Sequence, residues 1–314
     1  EDLAMFSYPA GIDVSSGSLE IRVDQLDVAM SCSNSQSDFP GLIGWLTLHR
    51  VGRVLLEATG GYERKVMKAL QAAGFEVIRI NPCRAKSFAR AMGQQAKTDP
   101  IDARLLAQFA AVIKSPDSRV TSAEQDDLRA LVQQREHFVQ QRDDDKRRLK
   151  TTSSDVVKPA LQSHIDYLQK VLKELESLIR QSAERLDRKK VALLCSVKGI
   201  GLVTAASLMS YLPELGEVGR HQIAALSGTA PYNDDSGKHK GKRHISGGRF
   251  AARRSLYMAC WSVIRFQPEF AARYKALREK GKCAKVALIA CMRVLLVRLN
   301  AMIRDGSEWK EHAA

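Results

Sequence analysis

The sequence predicts an α/β N-terminal domain, a helical coiled-coil middle segment and a mainly helical C-terminal domain. Three observations carry this. Strand-like apolar runs alternate with helical repeats over the first hundred or so residues, with short connections. Glycine then vanishes between 122 and 188 while charge rises. From about 189 onward, helical patterns alternate with glycine-rich turns. The expected boundaries are therefore 1–118, 119–188 and 189–314.

Each element follows from local pattern. Ile12 to Val14 is a short apolar run. Leu19 to Val28 alternates apolar and polar residues as a half-buried strand does, and Asp24-Gln25 inside it suggests two strands joined by a turn. Leu42 to Leu48 reads as a short helix. Val51 to Glu57 (VGRVLLE) reads as a buried strand, broken by Gly60-Gly61. Tyr62 to Ala73 places Val66, Met67 and Leu70 on one helical face and stops at Gly74. Phe75 to Ile80 is another strand, ended by Asn81-Pro82. Helices follow from Arg84 and over about Asp99 to Ile113. Leu128, Leu131, Val132, Phe138 and Val139 fit one long helix, and Thr151 to Pro159 a turn. Ile165, Leu168, Leu172, Leu175, Ile179 and Leu186 then follow a 3-4 spacing with a polar slot at Ser182, a heptad seam. Such helices can fold back on each other or dimerise.

The totals exclude several classes. Hydrophobic residues make up 45% of the 314, enough for real cores and unlike a disordered or fibrous chain. The apolar stretch Val286 to Leu299 is interrupted by Arg293 and Arg298, so an amphipathic helix is expected there rather than a membrane span. No basic region followed by an apolar block opens the chain, so no secretory leader is expected. The six cysteines (32, 83, 195, 260, 283, 291) form no C-x-x-C pair and have no histidine at zinc-finger spacing. They read as reduced structural thiols of a cytoplasmic protein. The net charge of +14 and a pI of about 9.6 favour a polyanionic partner.

Four acids stand out. Asp13 ends or sits within the first strand, Glu57 ends VGRVLLE, and Asp99 and Asp102 lie in KTDPIDARLLA. Asp99 can cap a helix with Pro100 at its first position, and the spacing of three puts Asp102 on nearly the same face. Strand-end residues gather at one edge of an α/β sheet. Singly, these are ordinary cap and strand-end acids. Together they would repel, each pair at about 4 Å costing on the order of 4 kcal/mol at an effective dielectric of about 20. A hard divalent cation relieves that repulsion, and oxygen-only ligands point to Mg²⁺, with Mn²⁺ as the alternative.

The C-terminal half has two features of its own. Leu193 to Ala206 reads LLCSVKGIGLVTAA, a glycine-containing turn between apolar helical runs, like a helix-hairpin-helix. Lys198, Gly199 and Gly201 are candidates for contact with a nucleic-acid phosphate. From Ser236 to Pro268 there is no Asp or Glu, while Lys238, Lys240, Lys242, Arg243, Arg249, Arg253, Arg254 and Arg265 fall in that span. A one-sign block of this length is an electrostatic footprint for nucleic acid.

The segments GIDVSSGSLEI, LEATGGYE, INPCRAKSFARA and KTDPIDARLLAQFA resemble the N-terminal domain of the DEDD-type insertion-sequence transposases. The resemblance implies a RuvC-like, RNase H-fold domain, followed by a C-terminal transposase domain with a nucleophilic serine. It also implies a recombinase guided by a structured non-coding RNA, called a bridge or seek RNA. On this reading Asp13, Glu57, Asp99 and Asp102 hold the metal. The segment GTAPYNDDSGKHKGKRHISGG places the serine at Ser236, with Ser246 as the alternative because Asn233-Asp234-Asp235 precede the first. The hydroxyl would attack the scissile phosphodiester and form a covalent protein–DNA intermediate. The expected partners are DNA, a guide RNA and further copies of the chain as a dimer or tetramer, in the bacterial cytoplasm at the nucleoid. The competing reading is a RuvC-like, structure-specific metal nuclease with water as nucleophile.

Overall fold

A computed structural model describes residues 7–94, 98–113, 121–236 and 239–310. The chain divides into two compact units, Glu1–Val120 and Thr121–Ala314.

The first unit runs β1 (Tyr8–Val14), β2 (Ser18–Val23), β3 (Val28–Ser33), α1 (Phe39–Leu48), β4 (Val51–Glu57), α2 (Glu63–Ala72), β5 (Glu76–Ile80), α3 (Pro82–Ala91) and α4 (Asp99–Val112). Its five-stranded sheet has the order β3-β2-β1-β4-β5. The β1-β2 and β2-β3 pairs are antiparallel, while β1-β4 and β4-β5 are parallel. The run Leu19 to Val28 is two strands. A single 3-10 turn, Asp24–Leu26, ends with Asp27 at φ 55°, a left-handed position that Asp tolerates better than most residues.

Both faces of the sheet are covered, which is why β4 is nearly continuous in apolar residues. Val54 and Leu56 face the core that Leu42, Leu46, Val66 and Leu70 fill from α1 and α2. Leu55, between them, faces the other way and packs with Ile78, Leu106 and Ala110 beneath α4. Asn81 caps α3, its side chain accepting from the Cys83 amide at 2.8 Å with Pro82 in the first turn.

The second unit runs α5 (Ala123–Thr151), α6 (Val157–Cys195), α7 (Leu202–Tyr211), α8 (Arg220–Leu226), four two-residue strands β6 (Pro231–Tyr232), β7 (Asp235–Ser236), β8 (His239–Lys240) and β9 (His244–Ile245), then α9 (Phe250–Phe266), α10 (Pro268–Glu279) and α11 (Ala284–Asp305). Helices α5 and α6 pair within the chain as an antiparallel hairpin. Arg135 meets Glu176 and Asp145 meets His164, so positions advance on one helix as they recede on the other. Ile165, Leu168, Leu172 and Ile179 are buried along this seam, and Ala183 rather than Ser182 closes its next turn. Near the boundary suggested by composition, α6 kinks at Asp187, whose carboxylate accepts from the Lys190 amide at 2.8 Å. One core runs across that kink, joining Leu128 and Ile179 to Leu208, Leu256 and Leu295.

Helix α11 is long and apolar enough to cross a membrane by length and composition, yet half of its apolar stretch is buried, with Leu288, Leu295 and Leu299 in this core. The four short strands form two nested pairs, β6 with β9 and β7 with β8. They had no counterpart in the sequence reading, because two-residue strands leave no periodicity.

Candidate active site

The acids are delivered by backbone geometry. Strands β1 and β4 are parallel with Ile12 opposite Leu56, so Asp13 and Glu57 occupy the next register at the carboxyl ends of both strands. Helix α4 crosses the same face. Its approach depends on Gly11, where a side-chain Cβ would fall on the Ala103 carbonyl and the Ala107 amide. Gly11, Ala103 and Ala107 thus let helix and strand backbones touch. Asp13 lies two residues beyond Gly11 on the same face, and α4 carries Asp99 and Asp102 in its first turn.

The cap of α4 is Thr98, one position before the expected Asp99, and it makes no side-chain capping bond. Pro100 therefore falls at the second helical position.

Asp13 reports the convergence. Its carboxyl is pushed up to about 6, first by burial and then by the charges of Asp102, Asp99 and Glu57. Among the described residues, no three His, Cys, Asp or Glu side chains already stand at ion-binding spacing. The carboxylates are near enough to repel without being drawn together. Four oxygen donors with excess negative potential suit a hard divalent cation.

Gly11 escaped the sequence reading. Its signal was a glycine two residues before an acid in a buried strand. We expect Gly11→Val to force α4 off the sheet. Strand exchange should fall to background and the melting temperature of the first unit should drop, as followed by circular dichroism and an activity assay. A variant with normal exchange would refute the close-approach argument.

Glu63 was also missed. It is 2% exposed, and it accepts from the Gly61 amide at 2.8 Å, the Thr59 amide at 3.2 Å and Arg79 at 3.0 Å. Burial opposes its charge, but hydrogen bonds from its own, Gly61 and Thr59 amides, together with Arg79, hold its carboxyl below the usual value of 4.5. Gly60 and Gly61 take positive φ of 74° and 120° in this loop, which follows directly on Glu57. Glu63→Gln should cost about 1–3 kcal/mol near neutral pH. Because the folded pKa is depressed, the wild-type advantage is present above about 4.5 and disappears as pH falls through the folded value. Denaturant melts at neutral and acid pH measure this, and an advantage that does not shrink at all as the pH is lowered would contradict it.

Ser236 lies in the second unit, exposed in β7 opposite His239 in β8. The adjoining backbone is tight. The Gly241 amide donates to the Asp234 carbonyl at 2.9 Å, and a Cβ on Gly241 would overlap that oxygen. Asp234 and Asp235 are exposed beside the serine, as are Lys242, Arg243 and Ser246. The site candidate Lys238 and the side chain of Lys240 lie outside the described residues.

Several basic candidates also have partners within the chain. Arg249 forms a two-pronged ion pair with buried Glu214, both contacts at 2.6 Å, and donates to the Tyr211 carbonyl. Arg253 donates to the carbonyls of Gly228 and Gly247. Arg254 pairs with Glu136. Gly199, at φ 101°, is explained by packing: a Cβ there would lie 2.8 Å from the Val263 amide nitrogen of α9. The Gln267 side chain also donates to the Lys198 carbonyl, tying this turn to the start of α10. Gly201 is the N-cap of α7 with open space around it.

Residues 10–154 match a transposase family of the DEDD IS110 type, and residues 191–275 match the IS116/IS110/IS902 transposase family. Pilin gene-inverting proteins of Moraxella lacunata and Moraxella bovis are each 28% identical over 310 residues, covering 94% of this chain and 95% of theirs. A 43.6 kDa insertion element IS110 protein of Streptomyces coelicolor is 27% identical over 159 residues, half of this chain and 39% of that one. With the α/β acid site and the second helical unit, these likenesses define the class: a DNA recombination enzyme, a transposase or recombinase. More particularly, residues 10–154 and 191–275 are similar to IS110-family transposase domains, and the first unit has the RNase H-like α/β fold that the DEDD likeness implies.

Proposed function

We propose that this enzyme breaks and rejoins DNA at insertion-sequence ends and target sites through a serine-linked intermediate, with a structured RNA choosing the sequences. The observation that carries the reading is the convergence of Asp13, Glu57, Asp99 and Asp102 where β1, β4 and the first turn of α4 meet. Those four carboxylates would hold Mg²⁺ or Mn²⁺. When bound, the ion supplies charge neutralisation at the scissile phosphate.

The chain's own residues do the rest. The Ser236 oxygen forms a bond to phosphorus, and the DNA oxygen leaves with a proton. A hydroxyl of the incoming strand then displaces the serine and restores it. Ser236 is exposed in β7, which lets that hydroxyl reach a backbone phosphate. Lys242 and Arg243 lie within the same ribbon of short strands and suit the phosphate's charge. The acids belong to the first unit and Ser236 to the second. RNA guidance rests on the family resemblance and on the +14 charge. The pilin gene-inverting relatives suggest that the same strand exchange can invert a segment as well as insert one.

Incubation with end-labelled DNA and Mg²⁺ should give a protein–DNA adduct that survives denaturing detergent. Cleavage without any adduct would favour the water-using nuclease. Sequencing the nucleic acid that co-purifies with the enzyme tests guidance, and a preparation with no discrete RNA species would refute it.

A further inference from the structure

Helix α9 buries Ala252, Leu256, Ala259, Cys260 and Val263 in the core of the second unit. Its opposite face would ordinarily be polar. Instead Phe250 is 67% exposed, Tyr257 37% and Trp261 40%. With Arg254 and Arg265, both exposed, these residues occupy positions 250, 254, 257, 261 and 265. At 100° per residue they fall within about 80° of arc, one stripe of three rings and two cations. Tyr257 and Trp261 meet edge to face at 6.4 Å, and Trp261 meets Tyr274 of α10 at 5.6 Å, so the rings are braced. Arg253 sits 5.8 Å from the Phe250 ring centre.

The geometry points to this stripe as a stacking platform for unpaired bases of single-stranded DNA. Three facts select that occupant. The helix has no acid from 250 to 266, so it suits a polyanion. An edge-to-face contact covers one face of one ring of the pair, so other ring faces are left for bases to stack on, without regard to sequence. Strand exchange must also unpair DNA, and this chain is a DNA recombination enzyme. A second copy fits less well, because two-fold pairing of the stripe would set like charges against each other. Arg254 is already paired with Glu136, so Arg265 is the cation expected to follow the strand's phosphates.

Binding of a labelled oligothymidylate of about 20 nucleotides to the full chain, measured by anisotropy in EDTA, tests the platform. Neither the acids nor Ser236 is needed there, so failure would leave the serine mechanism untouched. Replacing Tyr257 and Trp261 together by leucine keeps apolar bulk and removes both rings. Single-strand affinity should fall about tenfold for each ring lost, while a duplex of equal length loses less than about threefold. Trp261→Phe should remain within about threefold of wild type. Unchanged single-strand affinity, or an equal loss on duplex, overturns the proposal. So does a loss confined to oligouridylate, which would make the occupant RNA, or a drop in oligomeric mass, which would make it a second copy. Should the double variant not fold, tryptophan quenching by the oligothymidylate decides: it should be present in wild type and weakened in Trp261→Phe, and equal quenching in both counts against the platform.

Discussion

Ser236→Ala is expected to abolish strand exchange, with a fall on the order of 10⁴-fold or more, and to eliminate the detergent-resistant adduct. A nucleophile acts as part of a unit, so its loss costs nearly as much as losing the whole assembly. Binding should stay within about twofold, because the exposed hydroxyl forms no hydrogen bond to a described residue whose loss would disturb the ribbon. Ser246→Ala, in contrast, should keep exchange within about tenfold. The assay is recombination of a two-site DNA substrate, read beside adduct formation on denaturing gels. Full exchange by Ser236→Ala would end the serine proposal. Exchange lost only in Ser246→Ala would move it ten residues along.

Asp13→Asn should have the second-largest effect, lowering exchange about a thousandfold, or roughly 4 kcal/mol of transition-state stabilisation, while making the metal-free protein more stable. The sign follows from the Asp13 carboxyl, raised from 3.8 to about 6 by burial and by Asp102, Asp99 and Glu57. A carboxyl with a raised folded pKa holds its proton more tightly when folded than unfolded. Stability of the metal-free enzyme therefore declines as pH rises from about 4 to about 6, then levels off. Divalent ion must displace that proton, so affinity for Mg²⁺ should weaken below about pH 6. Asp13→Asn removes the repulsion and flattens the stability profile. Melts in EDTA across this range measure it, and a variant no more stable than wild type at about pH 7.5 would show that the acids do not press on Asp13.

These two residues illustrate how unevenly the molecule could be read. Strand β4 was legible to the residue, because the apolar core Val54-Leu55-Leu56 lies in a short run that Gly60-Gly61 cuts off. The heptad of α6 was equally plain in its spacing, yet spacing alone left pairing open. Salt bridges and hydrogen bonds such as Arg135 to Glu176 and Asp145 to His164 set it as a hairpin within the chain. Basic residues were the least legible. Arg249 looks in sequence like any cation of an acid-free block, but its partner Glu214 lies 35 positions away. A charge count cannot tell a solvated guanidinium from one neutralised by a distant buried acid.

By itself, the sequence carried the strand and helix patterns of each segment, the four acids as candidates and the acid-free basic stretch that follows Ser236. These are properties of local order, read through strand and helix periods. Only the tertiary structure decided that the acids converge, because convergence depends on Gly11 admitting α4 to the sheet and on the register of β1 with β4. It also decided which arginines are consumed internally and which face of α9 carries exposed rings. Each of these is a relation between residues far apart in the chain, set by packing and charge pairing, for which no spacing rule exists.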